Sequence, residues 1–210
     1  MDITENFNLQ ADTIIEFNQY LHDKTYNEDR ESLGICVLEL LYELLEKWST
    51  HSQTEHLWKE TLPEDLGDTL LVYAYDDVND VRIEILINKD GIFLEMSIAC
   101  PENLPGMPDD FWQQWLDLNS FGSFELIENE PFSDHDKKNN PGLFPAEAGN
   151  LFTLMRSIIA FPLIYKRPIE WCDLSINWPF DQYSIKDVFE KGCGAFERLW
   201  YLNQRLIVGK

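Results

Sequence analysis

Between Val81 and Ile98 the chain alternates apolar and polar residues with a period of two, the pattern of an antiparallel hairpin with one buried face. Val81, Ile83, Ile85 and Ile87 alternate with Arg82 and Glu84. After the turn Asn88-Lys89-Asp90-Gly91, Ile92, Leu94, Met96 and Ile98 alternate with Glu95 and Ser97. On this pattern the acids Glu84 and Glu95 belong to the polar face, as solvated groups or, with Arg82, as the lining of a groove.

The flanking segments read as helices and further strands. Ala11, Ile14, Ile15, Phe17 and Leu21 make an amphipathic helix from Asn8, its N-cap, to His22. A second helix runs from about Asp29 to Trp48, with Leu33, Val37, Leu40, Leu44 and Trp48 inward and Glu39, Glu43 and Glu46 outward. The two form a hairpin across the polar turn His22 to Glu28. A short polar segment containing His51, His56 and Pro63 follows, then a strand from Leu70 to Tyr75 and the turn Asp76-Asp77-Val78-Asn79-Asp80.

Pro108-Asp109-Asp110 opens a helix, with carboxylates at the positive end of its dipole. Gly122 to Glu128 reads as another strand, and Asn129 to Pro145 as a long surface loop. Leu151 to Phe161 is apolar nearly all round, a buried helix stopped by Pro162. Ile169 to Trp178 is a strand or an irregular aromatic segment. Ser184 and Asp187 cap a closing helix or two, interrupted near Gly192 and Gly194. The expected fold class is α+β: an antiparallel meander of about four strands, with the N-terminal helical hairpin and the C-terminal helices packed on it. We expect one domain over residues 1–210, with 129–145 as the place for a subdomain junction.

Charge narrows the functions open to such a fold. The chain carries 38 Asp and Glu against 16 Lys and Arg, a net charge of −22, and the imbalance is not uniform. Residues 1–140 hold 31 acids and 8 bases, while residues 141–210 hold 7 and 8. A field of one sign over part of a molecule attracts cations and basic proteins. It repels DNA, RNA and anionic lipid, whose binding depends on Lys and Arg replacing counterions. Direct nucleic-acid and membrane partners are therefore disfavoured.

Motif chemistry points nowhere else. No dinucleotide or phosphate-binding glycine loop, His-Glu-x-x-His or Gly-x-Ser-x-Gly occurs, so no cofactor is expected. Pro108-Asp109 with Asp136-Lys137-Lys138 matches a nuclease pattern in letters, but that chemistry needs its carboxylates on adjacent strands, and here they fall at a helix start and in a loop. Asp76, Asp77, Asn79 and Asp80 offer oxygens for calcium without the glycine and closing Glu of a calcium loop. His51 and His56 are five apart, off the one-turn spacing of a zinc pair, and no metal site is expected. His135 between Asp134 and Asp136 has the surroundings of a general base but no marked nucleophile.

Cys36, Cys100, Cys172 and Cys193 form no Cys-x-x-Cys pair and read as reduced thiols. Met1 to Asn8 lacks a basic start, and the longest apolar stretch, Leu151 to Tyr165, contains Arg156 and Pro162. A cytoplasmic protein is expected. The leading functional expectation is an acidic inhibitor that docks a basic protein, such as a toxin or nuclease. Its partner-binding residues would be Glu39, Glu43, Glu46, Asp76, Asp77, Asp80, Glu128, Glu130, Asp134 and Asp136. Trp58, Trp112 and Tyr75 are the candidate aromatic anchors. In charge, size and expected architecture the chain is similar to the cytosolic immunity proteins that neutralise bacterial toxins, although no motif carries that likeness. A regulatory or structural interaction module is the alternative, and an enzyme with an unrecognised site a third.

Overall fold

The computed structural model describes residues 3–22, 30–58, 61–128, 134–139, 164–166 and 172–208. Helices α1 (Ile3–His22) and α2 (Arg30–His51) lead into strands β1 (Thr61–Asp65), β2 (Leu70–Asp76), β3 (Val81–Ile87) and β4 (Gly91–Ser97). Helix α3 (Asp109–Asp117), β5 (Ser123–Glu128), the short α4 (Asp134–Asn139), β6 (Cys172–Pro179) and α5 (Ile185–Val208) follow. The result is an α+β fold, a fully antiparallel sheet with helices from both ends of the sequence.

Among the described residues the sheet has six strands in the order β1-β2-β3-β4-β6-β5, which corrects the expectation of a meander of about four strands. Only β1 to β4 meander. Strand β6 pairs with β4 on one side and β5 on the other, so residues on either side of 129–145 share one sheet. Strand β1 escaped the sequence reading because Thr61–Asp65 is polar and contains Pro63. An edge strand tolerates a proline that a central strand would not.

The alternating segment pairs Ile83 with Met96, Ile85 with Leu94 and Ile87 with Ile92, and all six side chains are fully buried. Each such burial contributes roughly 1.5–3 kcal/mol. Helices α2 and α5 cover this face through Val37, Leu41 and Trp48, and Phe196, Leu199 and Leu206, and α1 packs on those two helices, adding Ile14 and Phe17 to the same core. Gly91 has a second purpose beyond its turn, because a Cβ there would lie 2.6 Å from the Trp178 carbonyl oxygen of β6. Asn203 of α5, fully buried, accepts from Ala99 N–H at 2.9 Å and donates to the Ser97 carbonyl at 3.0 Å, pinning the helix to the end of β4. Arg30 ties the start of α2 to the β1–β2 turn, donating to both Asp65 oxygens at 3.0 and 2.7 Å and to the Gly67 carbonyl at 2.7 Å. That contact holds the Asp65 carboxyl below its ordinary range.

Helix α5 is continuous, which corrects the expected interruption at Gly192 and Gly194. Its start is the capping arrangement expected from Ser184 and Asp187: the Asp187 carboxylate accepts from Ser184 N–H at 2.8 Å, and Asp187 N–H donates to Ser184 Oγ at 3.3 Å. The glycines mark close packing instead. A Cβ on Gly192 would lie 2.1 Å from the Trp48 ring, and one on Gly194 would lie 2.5 Å from the Phe121 ring. Trp48 also leans on Trp178, with ring centroids 6.5 Å apart, so α2, α5 and β6 meet at one point. Part of the expected loop, Asp134–Asn139, is helical. The rest of that loop, the turn expected at 23–28 and the apolar segment Leu151 to Phe161 lie outside the described residues. Among the described residues no helix is long and apolar enough to cross a membrane.

Alanine is the better helix former by about 1 kcal/mol, yet Gly192→Ala should destabilise the protein by about 1–3 kcal/mol, because the Trp48 ring has to move within a packed core. Gly106→Ala, with nothing within 4 Å of the added methyl, should leave the urea unfolding midpoint nearly unchanged. Equal midpoints for the two variants would refute this account of Gly192.

Candidate functional site

The acids expected to meet a partner fall into several groups. Glu39, Glu43 and Glu46 are exposed on one side of α2, and Glu43 pairs with Lys47 at 3.5 Å. Ile35 and Tyr42 share that side, 51% and 44% exposed, because helical spacing brings residues 35, 39, 42, 43 and 46 within one stripe.

The turn between β2 and β3 divides its acids. Asp76 is only 1% exposed and is not part of an accessible acidic surface. Its carboxylate accepts from Val78 N–H at 2.9 Å and from the Asn79 amide at 2.6 Å, which closes the turn. Asp77 and Asp80 face outward, and the Tyr75 hydroxyl donates to Asp80. Glu128 ends β5 and Asp134 and Asp136 belong to α4, but their side chains, and all of Glu130, lie outside the described residues. Asp109 sits in the first turn of α3 and Asp136 in α4, so the nuclease-like letters fall on two helices. His135 is exposed, with a ring nitrogen 2.8 Å from the Asn139 amide. Among the described residues no three His, Cys, Asp or Glu side chains are grouped to hold a metal.

Two of the expected anchors are structural. Trp58 donates to Thr54 Oγ1 at 3.3 Å and meets Trp200 edge-on, and Trp112 donates to the Met107 carbonyl at 3.2 Å beside Phe111. Tyr75 is 37% exposed, and the aromatic among the α2 acids is Tyr42, which sequence reasoning passed over. Its position three residues from Glu39 and one from Glu43 was the available signal.

A second polar grouping lies on the face of the sheet opposite the helices. Tyr73, Glu84, Glu95, Ser175 and Glu125 stand in register across β2, β3, β4, β6 and β5. The Ser175 hydroxyl, fully buried, donates toward Glu95 at 3.2 Å and also contacts the Asn177 amide oxygen. Asn177 donates to Glu125 at 3.1 Å. Arg82 pairs with Glu84 and lies over the Tyr73 ring at 4.7 Å from its centroid.

Glu84 and Glu95 are therefore not two simple solvated groups, as one sequence reading had them. Burial, then the charge of Glu84 and a carboxyl–carboxyl hydrogen bond with it, push Glu95 up to about 7, against the opposing bond from Ser175. Asp173, next to this row on β6, is raised by burial and by Glu84, with Arg82 opposing. The arrangement favours a proton on Glu95 to a higher pH than an isolated carboxyl would keep it. Sequence periodicity exposed only its β3–β4 half, since nothing local says that β6 lies beside β4.

Comparison with protein-family models, curated proteins and solved structures finds no match to this chain.

Asn177 joins Ser175 to Glu125 from a nearly buried position, 8% exposed, and Asn177→Ala should cost about 1–3 kcal/mol in urea unfolding through polar groups left without a partner. Glu125→Gln, at an exposed position that keeps an acceptor oxygen, should change stability by less than about 0.5 kcal/mol. A neutral Asn177→Ala would show that the row is not a connected network.

Proposed function

We propose that this chain is an acidic binding protein of the cytoplasm that docks a basic partner protein through the outer side of α2. It acts as an inhibitor would when masking a positively charged substrate channel, and an immunity protein neutralising a toxin such as a nuclease is the form we favour. The observation that carries the reading is the placing of Tyr42 and Ile35, half exposed, among Glu39, Glu43 and Glu46 on one helical stripe. Interface energy concentrates in a few aromatic or apolar anchors ringed by charge, while the charges speed and select the encounter. The net charge of −22 supplies a long-range field of the right sign for a basic surface and the wrong sign for nucleic acid. Asp77 and Asp80, exposed in the β2–β3 turn, add to the acidic charge of the molecule. The free thiols of Cys36, Cys100 and Cys193 suit a reducing compartment.

The test starts from a partner captured at low salt, purified and shown to be basic, with its own activity measured in the presence of this chain. Tyr42→Ala should weaken the dissociation constant at least about fivefold at every salt concentration. Charge reversal by Glu39→Lys with Glu43→Lys should slow association about tenfold at low salt, with the effect shrinking as salt screens it. A partner whose affinity ignores both sets of substitutions, or whose activity is unchanged by binding, would sink the inhibitor reading.

A further inference from the structure

We propose that Glu84 and Glu95 form a proton-operated latch across β3 and β4: one shared proton holds the two carboxyls together, and its loss loosens the strands around them. The geometry places them directly opposite in the ladder, where neighbouring side chains are in contact and like charges repel. Neither can turn away freely. Glu84 is held by Arg82, itself laid over the Tyr73 ring, and Glu95 receives the hydroxyl of the fully buried Ser175 from the next strand.

The charged surroundings decide the sign. From β3 come Glu84 and the guanidinium of Arg82 that pairs with it; from β6 comes Asp173, itself raised by burial and by Glu84. From β5 comes Glu125, reached through Asn177. A fully ionised row thus sets several carboxylates against one guanidinium in a partly buried place, which one bound proton relieves. Glu95 rises from an ordinary 4.5 to about 7, so the closed arrangement prefers the protonated acid. Its contribution is complete below about pH 4.5 and is lost as pH rises through about 7, the reverse of an ion-paired carboxylate. The step falls near neutrality, and it acts on the strand pair that carries β6.

Amide hydrogen exchange on the full chain at pH 6, 7 and 8, corrected for the intrinsic rate, reads the latch, together with carbon NMR of the glutamate carboxyls. With an open-state value of 4.5 and a closed value of about 7, protection in β3, β4 and β6 should fall about tenfold from pH 6 to pH 8. Protection between β1 and β2 should stay within about twofold. Glu95→Gln, which keeps a donor for Glu84 without a titrating proton, should abolish the step. If that variant does not fold, the wild-type carboxyl titration and Glu84→Gln report the same event. A Glu95 carboxyl that titrates in the ordinary carboxylate range, a fall shared equally by all strands, or the same profile in wild type and Glu95→Gln would overturn the latch.

Discussion

Strand β6 occupies the place on which both faces of the sheet depend. It enters between β4 and β5 with hydrogen-bonded neighbours on each side, and every second side chain serves a different purpose. Leu174, Ile176 and Trp178 go into the helical core, where Trp178 meets Trp48 and, through it, the notch left by Gly192. Asp173, Ser175 and Asn177 go to the other face and complete the polar row begun by Glu84 and Glu95. Close approach of this strand is also why Gly91 and Gly122 stand where they do, since a methyl group at either would press on β6 within 3 Å. Trp178 secures the junction further by donating its indole N–H to the Phe121 carbonyl at 2.7 Å.

The two faces solve opposite problems. On the helical side close packing is obtained by removing side chains, as at Gly192 and Gly194, so that aromatic rings can fill the space. On the other side polar groups are brought inward and set against one another: Ser175 bonds Glu95 and Asn177, Asn177 bonds Glu125, and Glu84 is ion-paired with Arg82. Such a row is costly when incomplete, because each group has given up water for a specific partner. The surplus of carboxylates over cations in it makes proton binding a structural matter there. Exposed acids such as Glu39, Glu43, Glu46, Asp77 and Asp80 remain in water, where they set the field that a partner would meet at a distance. The same residue type thus has two physical roles, separated by burial alone.

The sequence was most informative where a single element carried its own pattern. The β3–β4 alternation, the inward stripe of α2, and the Ser184–Asp187 cap were legible because each depends on neighbours within a few residues. Helix α1, by contrast, begins at Ile3 rather than at an Asn8 cap, and it buries Ile14 and Phe17 of its expected stripe but leaves Ile15 46% exposed. The exposed acids of α2 were legible for the same reason, since helical periodicity alone separates Glu39, Glu43 and Glu46 from Val37, Leu40 and Leu44. Local reasoning failed where a residue's meaning comes from distant chain. Gly192 reads as a helix breaker until Trp48 lies against it, and Trp58 reads as a surface anchor until Trp200 and Phe196 close on it. Asp76 reads like its neighbours Asp77 and Asp80 until its carboxylate is seen folded into the turn.

By itself the sequence determined the α+β class, the buried face of the central hairpin, the helical cover and the sign of the surface field, because periodicity, propensity and charge are properties of short segments. Tertiary structure alone decided the strand order, the continuity of α5 through its glycines, and the conversion of Glu84 and Glu95 from surface acids into a coupled pair. The strand order rests on β6 arriving beside β4 from some eighty residues away, as in the Glu95–Ser175 contact. The continuity of α5 rests on Trp48 and Phe121 packing against its glycines, and the Glu84–Glu95 coupling on burial of the polar face of β3–β4. Pairing between segments so far apart leaves no periodic trace in either one, since each strand alternates in the same way whichever neighbour it receives.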